Sequence, residues 1–370
     1  MWALAAVAGA LSVVTGLVPL GEARDLLDRV TPVLLFLVAV TVLAELTDRA
    51  GVFDVAAVRV ARLGRGSVPG LFLLVALLGT VTTVLLSVDT TAVLLTPVML
   101  SLAARLRLDP MPFALLAVWI ANAASLLLPI SNLTNLLAVD RLDVSATTFA
   151  RHMAAPAAVA VLGAVLVVGA RYARALRGHY PVPVPDRPSD RWLFLVATFA
   201  CLAFAPTVLV GLPAWVAAGA AAVPVVVVFA VRRREVLRWS LVPWRLVLLT
   251  LGLFLVVAAA GRHGLDDALR HLVGGGGTGR VGAVAATSAN LVNNLPAYLA
   301  LERSTPPADL PALLVGVNVG PLVLLWGSLA TLLWRDRCKA RGVHVPALQF
   351  TLLGVVGVPL VVAATLPVVR

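Results

Sequence analysis

The chain has 370 residues, of which 61% are hydrophobic and only 13% are charged, and its formal net charge is +11. A soluble domain is about half apolar and about a quarter charged, so this composition excludes a soluble globular protein and indicates a membrane protein. The apolar runs are long and do not alternate, which predicts spanning helices and not the short alternating strands of a barrel. The basic residues lie in short clusters between these runs, as in cytoplasmic loops, and give no indication of nucleic-acid binding.

The chain begins with an apolar run at Trp2–Leu20, which we interpret as a retained first span with its N-terminus inside. A cleaved signal peptide is the alternative. A polar connection at Gly21–Val30 leads to a second span, Thr31–Leu46. The next stretch, Thr47–Gly66, is amphipathic and rich in Arg, as expected of a helix lying on the cytoplasmic surface. Residues 1–30 therefore precede a first unit that covers residues 31–170.

Residues 67–105 form an apolar segment that is too long for one span, which takes about 20 residues. The segment is interrupted at Ser87-Val88-Asp89-Thr90-Thr91 and has Arg residues on both flanks. With both flanks cytoplasmic, the segment enters and leaves on one face. Because its arms are short, we interpret it as a re-entrant helical hairpin whose polar tip lies inside the membrane. The alternative is two ordinary spans joined by a short outer turn, which would also keep both groups of Arg residues on one face.

The remaining elements follow the same logic of apolar runs and breaks. Up to residue 241 we expect a broken span at residues 111–139, a returning span at Phe149–Ala170, and a Pro-rich linker with two connecting spans in residues 171–241. Beyond it we expect a span at Val242–Gly261, an amphipathic stretch at Gly264–His271 and a Gly-rich hinge at Gly274–Gly277. A second hairpin at residues 276–301, a second broken span at residues 310–334 and a last span at Val345–Val369 complete the chain order.

The order of elements in residues 31–170 recurs, with reversed direction, in residues 242–370. Inverted repeats with paired discontinuous helices are typical of secondary transporters, which bind substrate near the membrane midplane at the repeat interface. We therefore predict an all-α membrane protein with two inverted repeats, each with a re-entrant hairpin and a broken transmembrane helix, and about nine full spans plus two hairpins.

The polar stretches at the tips and breaks are predicted to build one transport site. Broken helices are tolerated at membrane depth only where the freed backbone is buried or lines a cavity. The candidate substrate- or ion-binding residues are Ser87, Asp89, Thr90, Thr91, Ser131, Asn132, Thr134, Asn135, Asn293, Asn294, Asn318, Gly327, Ser328 and Thr331. Asp89 is the one carboxylate among them, and none is cationic. Each neutral member also has a purely structural alternative, because Ser, Thr and Asn hold membrane helices together.

A pocket of hydroxyl and amide groups suits an uncharged hydroxylated solute, whereas carboxylate substrates need positive potential from cations or helix ends. Arsenite is such a solute at neutral pH. Asp89 is the candidate carrier of a proton or a sodium ion, because an ionisable residue inside a membrane is a functional site by default. We predict no other cofactor.

The two cysteines, Cys201 and Cys338, lie far apart, and the five His residues are scattered. This spacing predicts neither a disulfide framework nor a metal site. A membrane-embedded enzyme would need a metal cluster or an activated nucleophile at a break, and the sequence shows neither. We therefore favour a transporter over an enzyme.

With these stretches identified, the chain resembles the arsenical pump membrane protein family, which are arsenite/antimonite efflux permeases of the ion transporter superfamily. The resemblance runs from about Pro32 to Trp334, and its most specific part is Gly327–Trp334. Further matching segments are Asp89–Pro97, Ser131–Asn135, Val292–Pro296 and Pro243-Trp244-Arg245.

The resemblance implies a helical-hairpin transporter in the bacterial cytoplasmic membrane, often a homodimer, that extrudes As(III) or Sb(III) by using the membrane potential or a proton gradient. Some members of the family also use a soluble ATPase subunit. The family pattern has Asn at Val88, acidic residues at Asn122 and Asn318, and Cys at Val317. With fewer carboxylates here, the coupling ion stays open between H⁺ and Na⁺. A sodium- or proton-coupled permease for carboxylate-like anions, from the same superfamily, is the alternative function.

Overall fold

The computed structural model describes residues 2–185, 188–274 and 277–369. Residues 275 and 276, which belong to the expected hinge and to the start of the expected second hairpin, lie outside the described residues. So do residues 186 and 187 of the Pro-rich linker and the two terminal residues. Within the described part the chain is helical and contains no strand, with one isolated bridge between Ser67 and His179. The predicted all-α fold is confirmed.

The first half of the molecule carries one hairpin and one broken helix. Its helices are α1 (Trp2–Val14), α2 (Leu20–Arg49), α3 (Val52–Leu63), α4 (Val68–Leu85), α5 (Val88–Thr90), α6 (Thr96–Arg105), α7 (Pro110–Ala124), α8 (Leu133–Leu142) and α9 (Ala146–Arg171). A π-helical turn, Thr91–Leu95, joins α5 and α6 into one continuous arm. That arm and α4 form the hairpin, and α7 and α8 form the broken helix.

The polar connection expected at Gly21–Val30 is helical, because α2 already begins at Leu20. Two of its charged residues form ion pairs with distant parts of the chain. Glu22 pairs with Arg262, and Arg29 pairs with Glu302. The expected boundary at residue 30 therefore falls inside a helix of 30 residues.

The second half repeats the order of the first. Its helices are α10 (Arg191–Leu209), α11 (Ala214–Arg232), α12 (Trp244–Ala260), α13 (Asp266–Val273), α14 (Gly277–Val292), α15 (Asn294–Glu302), α16 (Leu310–Val319), α17 (Leu329–Ala340) and α18 (Ala347–Thr365). Helices α10 and α11 pack against α2 and connect the halves. From α12 onwards, a long helix, a short amphipathic helix, a hairpin, a broken helix and a final span follow each other as they do from α2 to α9.

Two cavities show that the repeats are inverted. The first, the vestibule, is lined by residues 41–45 of α2 and residues 244–246 of α12. The second, the Glu302 cavity, is lined by residues 22–29 of α2 and residues 254–258 of α12. The two helices share both cavities in opposite chain order, so they are antiparallel.

Eight helical segments of the described chain are long and apolar enough to cross a membrane. They are Leu20–Arg49, Val68–Leu85, Val88–Arg105, Ala146–Arg171, Arg191–Leu209, Ala214–Arg232, Trp244–Val273 and Ala347–Val368. Two of them are the arms of the first hairpin. Helices α1 and α7 are apolar but shorter.

The hairpin tips meet in the middle of the molecule. Val88 and Asp89 of the first tip line one small cavity together with Asn293 and Asn294 of the second tip. The second hairpin ends at Glu302, in the cavity at the far end of α2 and α12 from the vestibule. This arrangement favours the re-entrant interpretation, because an outer turn could not lie against the other tip.

The first segments of the two broken helices form the centre of the bundle. Every residue from Pro112 to Ala124 of α7 is buried, and so is every residue from Ala312 to Val319 of α16. An all-apolar helix would also be stable in lipid, but these two segments are enclosed by protein on every side. The breaks at their ends therefore lie at the core and not at the lipid surface.

Candidate functional site

The break between α7 and α8 is closed by its own amides. Asn132 caps α8, and its Oδ1 accepts a hydrogen bond from the backbone N–H of Thr134 at 3.4 Å. Asn135 Nδ2 donates to the carbonyls of Ser125 at 2.6 Å and Leu128 at 3.0 Å. Ser131 Oγ donates to the carbonyl of Val84 in the first hairpin at 3.2 Å. Backbone groups released by the break are thus satisfied within the protein, as a buried break requires.

Asn318 on α16 joins this break to the opposite repeat. Its Oδ1 accepts from Asn132 Nδ2 at 3.2 Å and from Thr134 Oγ1 at 2.8 Å. Its Nδ2 donates to Asn135 Oδ1 at 2.8 Å. The side chain is fully buried, and these bonds engage both ends of its amide. Asn318 therefore positions the start of α8 and does not point into a cavity.

The break between α16 and α17 has a matching cap. Ser328 Oγ accepts from the backbone N–H of Thr331 at 3.0 Å and lies 2.8 Å from Thr331 Oγ1. Gly327 precedes the cap, and a Cβ there would lie 2.6 Å from the carbonyl oxygen of Pro321. The close approach of the two backbone segments thus explains the Gly.

The second hairpin is bonded to that break. Asn290 Nδ2 donates to the carbonyl of Gly320 at 2.7 Å, and its Oδ1 accepts from the N–H of Leu324 at 2.9 Å. Asn293 Nδ2 donates to the carbonyl of Trp326 at 3.0 Å, and Asn294 N–H donates to the carbonyl of Gly327 at 2.8 Å. The tip and the break therefore form one polar unit.

The first hairpin tip repeats the Ser–Thr cap. Ser87 Oγ accepts from the N–H of Thr90 at 3.1 Å and lies 3.0 Å from Thr90 Oγ1. Thr91 Oγ1 lies 2.7 Å from Thr83 Oγ1 on the other arm, which holds the arms together. The π-helical turn begins at Thr91, and such turns are frequent at functional sites.

Four helical segments begin at the wall of one central cavity of about 40 Å³, at Val88, Leu133, Asn294 and Leu329. Each helix N-terminus carries a partial positive charge of roughly half an elementary charge. Asp89 also lines the cavity and is the one charged side chain of its described lining. The central cavity thus combines four positive helix ends, amide groups and a single carboxylate.

Asp89 also lines the vestibule, a cavity of about 600 Å³. The vestibule reaches Glu45, Arg245 and Arg337, on the face where the basic clusters of the sequence lie. Among the described residues, the Asp89 carboxylate has no hydrogen-bond or ion-pair partner, and its side chain is partly exposed. Asp89 is therefore placed between the central cavity and the basic face.

The candidate residues of the sequence divide into two groups. Six of them line a cavity. The central cavity is lined by Asn132, Asn293 and Asn294, the vestibule by Ser87 and Thr90, and both cavities by Asp89. The others, Thr91, Ser131, Thr134, Asn135, Asn318, Gly327, Ser328 and Thr331, lie behind that wall and support it through hydrogen bonds or close backbone packing. The first group are candidate ligands and the second are candidate positioning residues.

Sequence reasoning missed Thr250 on α12. Its side chain is fully buried and lines the central cavity, and its Oγ1 has no hydrogen-bond partner among the described residues. Helical threonines such as Thr41 and Thr47 instead donate to the carbonyl four residues earlier. The signal in the sequence was a lone hydroxyl in an apolar run. Ser125 and Asn290, which bond to the breaks, were also absent from the predicted set.

Comparisons with known proteins agree with this architecture. A family model described as citrate transporter (CitMHS) matches residues 1–302. The arsenical pump membrane protein of Yersinia enterocolitica is 29% identical over 367 residues, which cover 89% of this chain and 84% of that protein. One from Escherichia coli is 29% identical over 359 residues, covering 88% and 82%. The predicted resemblance to this family is confirmed.

Two further comparisons are with an uncharacterized relative and with a solved structure. An uncharacterized transporter of Mycobacterium tuberculosis is 25% identical, with 88% of this chain and 82% of that protein covered. The crystal structure of the YdaH transporter of Alcanivorax borkumensis, described as having an unusual topology, matches with a TM-score of 0.56 and 16% identity. It covers 95% of this chain and 89% of that one, which supports the fold. Since the family model spans most of the sequence, this multi-pass membrane protein belongs to the citrate transporter (CitMHS) family of membrane transporters.

Proposed function

We propose that the chain is a secondary active transporter that exports arsenite and antimonite, as neutral trihydroxy solutes, across the bacterial cytoplasmic membrane. The relatives named arsenical pump membrane proteins support this proposal. The observation that carries it is the lining of the central cavity, where four helix starts surround amides and one carboxylate, with no cationic side chain among the described lining residues.

The charges at this cavity favour a neutral solute. The carboxylate of Asp89 offsets part of the positive potential of the helix ends. A trihydroxy solute donates hydrogen bonds to amide oxygens and accepts them from amide nitrogens without needing a counter-charge. A tricarboxylate would place its charges beside Asp89 in a medium of low dielectric constant, where like charges repel strongly. The cavity of about 40 Å³ has room for about three water molecules, which also suits a small solute.

We propose that Asp89 carries the coupling ion, H⁺ or Na⁺. It lines both the central cavity and the vestibule, so it can exchange an ion with the basic face while it lies beside the bound solute. An ion on Asp89 changes the charge of the cavity and with it the affinity for the solute. This linkage is what a coupled carrier requires.

A second candidate function is a coupled permease for carboxylate-like anions. Four positive helix ends at one cavity favour it, and the family model is described as a citrate transporter. In that case Asp89 must be neutralised by a proton or a sodium ion before the anion binds. The transported anion would then depend strictly on the coupling ion.

For the assembly we propose an inner-membrane homodimer with its N-terminus inside. A soluble ATPase subunit is a further candidate partner, by resemblance to the arsenical pump family. Cross-linking in intact membranes, with labelling of the N-terminus from either side, tests the dimer and the orientation.

The substrate is tested in an arsenite-hypersensitive bacterial host that produces the full chain. We expect increased As(III) resistance and lower cellular accumulation of As(III) than in the host with an empty vector. No gain in resistance, together with sodium-dependent uptake of citrate, would favour the anion permease and contradict arsenite export.

A further inference from the structure

A groove of about 910 Å³ lies between α9 and α18, on the outside of the bundle. Its lining extends from Leu166 to Arg171 on α9 and from Leu348 to Leu360 on α18, with Pro346 at one end. None of its lining residues belongs to the vestibule, the central cavity or the Glu302 cavity. The proposed transport of a solute therefore leaves this groove without a role.

The groove is apolar along most of its length. Leu166, Leu352 and Leu360 line it and are each more than half exposed, so it is open to the surroundings of the bundle. The helical rise gives about 18 Å from the first to the last leucine of α18 in the lining. Half of the hydrocarbon core of a bilayer measures about 15 Å. The groove thus has the length of an acyl chain in one leaflet.

Close packing of the two helices closes the apolar end of the groove. A Cβ at Gly163 of α9 would lie 2.8 Å from a methyl carbon of Val361 on α18. Both residues lie just beyond the lining, so the helices are in contact where the groove ends. The floor beside this contact is formed by Gly357, which lies against Val167 and against Trp119 of the buried helix α7. An occupant therefore lies outside the core and enters from the lipid side.

The polar lining residues are at the other end of the groove. Arg171 ends α9, and its guanidinium carbon lies 5.0 Å from the ring centroid of Tyr172. Gln349 Nε2 donates to the hydroxyl of Tyr172 and so joins the two helices. No side-chain hydrogen bond caps the start of α18 next to Pro346, so its first N–H groups are available at this end. A guanidinium, an amide and a helix start therefore converge at one end of an apolar groove.

The polar end carries excess positive charge. The segments 144–185 and 337–369 contain α9, α18 and the turns beside this end, and neither contains an Asp or Glu residue. Arg174 and Arg177 follow Arg171 and are exposed, and none of the three has an ion-pair partner among the described residues. This end therefore attracts an anion.

A single carboxylate of the described chain is known to influence this end. Asp109 faces the hydroxyl of Tyr172, and its Oδ1 already accepts from the N–H of Met111 at 2.9 Å. One carboxylate does not balance three guanidinium groups, so the net charge stays positive.

We propose that the groove binds one anionic phospholipid, with an acyl chain between α9 and α18 and its phosphate at Arg171. Basic pockets between membrane helices recognise anionic head groups in this way. Arg binds phosphate through two parallel N–H bonds, and the start of α18 adds backbone donors. The assignment is independent of the proposed function, since it involves no group that contacts the solute.

A second copy of the chain complements the groove less well than an anionic lipid. Both copies of a dimer keep the same orientation in the membrane, and a two-fold interface uses the same surface twice. The two Arg171 side chains would then lie at the same level of one interface, where like charges repel. A zwitterionic lipid has no net charge to offset the three guanidinium groups. The charge pattern therefore favours an anionic lipid.

Lipid binding is tested by native mass spectrometry of the purified full chain in detergent. The probe is dioleoyl phosphatidylglycerol, and dioleoyl phosphatidylcholine is the uncharged reference. We expect the wild type to retain one phosphatidylglycerol molecule that phosphatidylcholine does not displace. Arg171→Gln should raise the Kd for phosphatidylglycerol about tenfold, as loss of a hydrogen bond to a charged group implies. Equal retention by the wild type and Arg171→Gln would overturn the proposal.

Arg151→Gln is the matched control, because Arg151 is exposed at the opposite end of the same helix and does not line the groove. We expect its Kd for phosphatidylglycerol to equal that of the wild type. An equal loss of affinity in Arg151→Gln and Arg171→Gln would indicate attraction by net charge alone and contradict a site at the groove.

A second variant fills the groove and leaves every charge in place. Ala170→Trp puts a large side chain into the lining beside Arg171, and Ala158→Trp puts the same side chain on an exposed position of α9 outside the groove. We expect phosphatidylglycerol to be lost from Ala170→Trp and kept by Ala158→Trp. Phosphatidylglycerol kept by Ala170→Trp would contradict binding of the acyl chain between the helices.

Two further outcomes separate the lipid from other occupants. Glycerol phosphate, which is a head group without a tail, should not displace the bound phosphatidylglycerol. Displacement by it would reduce the site to a phosphate site and contradict the proposal. Light scattering on the same samples reports the oligomeric state. A dimer that dissociates in Ala170→Trp while phosphatidylglycerol stays bound would identify a second copy as the occupant and overturn the proposal.

Discussion

Buried polar side chains of this protein fall into two groups, those with hydrogen-bond partners and those without. Asn318 uses its whole amide to hold Asn132, Thr134 and Asn135, whereas the hydroxyl of Thr250 is buried at the central cavity without a partner. A satisfied buried group stabilises the structure, and an unsatisfied one beside a cavity is available to a ligand. We therefore expect substitution of Asn318 to lower stability and substitution of Thr250 to weaken solute binding.

Asn318→Ala is predicted to destabilise the protein by about 2–3 kcal/mol, since three buried hydrogen bonds are lost and their partners stay unpaired. Asn122 is the matched control, because Asn122 and Asn318 each lie ten residues before the cap of the next helix segment, at Asn132 and Ser328. Asn122 Nδ2 donates only to the Val118 carbonyl, and its Oδ1 has no partner. Thermal unfolding of both variants in the same detergent measures the two losses of stability. An Asn122→Ala variant that loses as much stability as Asn318→Ala would contradict the prediction.

Thr250→Val is predicted to weaken As(III) transport, with an increase in KM of about fivefold, as loss of one hydrogen bond of about 1 kcal/mol implies. Stability should not fall, because the hydroxyl has no partner to lose. Thr198→Val is the control, since its hydroxyl is also buried without a partner but lies on α10, away from the central cavity. Equal effects of the two substitutions on KM would argue against a solute contact.

At the scale of elements, the hairpins are held to the broken helices by close packing as well as by amides. Gly316 and Gly320 of the second broken helix lie against the backbone and side chains of Ala285 and Ala286 on α14. Small residues permit such approach between membrane helices, where dispersion contacts replace the hydrophobic effect as the main attraction. The position of the tip at Asn293 therefore depends on glycine contacts made about two turns earlier on α14.

Gly316→Ala is predicted to lower the free energy of unfolding by about 1–3 kcal/mol, because the new methyl group overlaps Ala285 and forces α14 away from α16. Gly219→Ala on α11 is the control, as a Cβ there meets nothing within 4 Å. That substitution should be neutral or slightly stabilising, since Ala favours a helix more than Gly does. Unfolding temperatures of the two variants in the same detergent provide the comparison, and a larger loss for Gly219→Ala would contradict the packing argument.

Much of the element structure was predictable because its causes are local. The caps Ser87–Thr90 and Ser328–Thr331 and the amides at Asn132 and Asn135 are encoded within a few residues of each break. The contacts that were not predicted join parts of the chain that lie far apart in the sequence. Arg29 and Glu302 are 273 residues apart, and their pairing lets Gly21–Val30 stay helical. Re-entry at Ser87 was predicted from short arms, but arms of 18 residues rise about 27 Å and are long enough to span by length alone.

At the scale of the whole molecule, the cavities are arranged from one face to the other along α12. The vestibule reaches the basic face, the central cavity lies at the meeting of the four breaks, and the Glu302 cavity lies beyond it. Ionisable groups are placed at both ends, Asp89 on one side of the central cavity and Glu302 on the other. Inverted repeats explain this arrangement, since each contributes one hairpin and one break from its own face.

Asp89→Asn is predicted to abolish concentrative transport while it leaves downhill movement of As(III) intact. The amide still offers hydrogen bonds to the solute, but it cannot take up or release the coupling ion. The measurement is As(III) movement in vesicles with and without an imposed ion gradient, with Asp267→Asn as a charge control outside the site. Gradient-driven accumulation that survives in Asp89→Asn would remove this residue from coupling.

The most direct measurement is uptake of As(III) by liposomes that contain only the purified chain, with citrate offered in parallel. Our account predicts As(III) uptake that excess citrate does not inhibit and that falls in Thr250→Val but not in Thr198→Val. Liposomes that take up citrate with sodium and do not take up As(III) would contradict it.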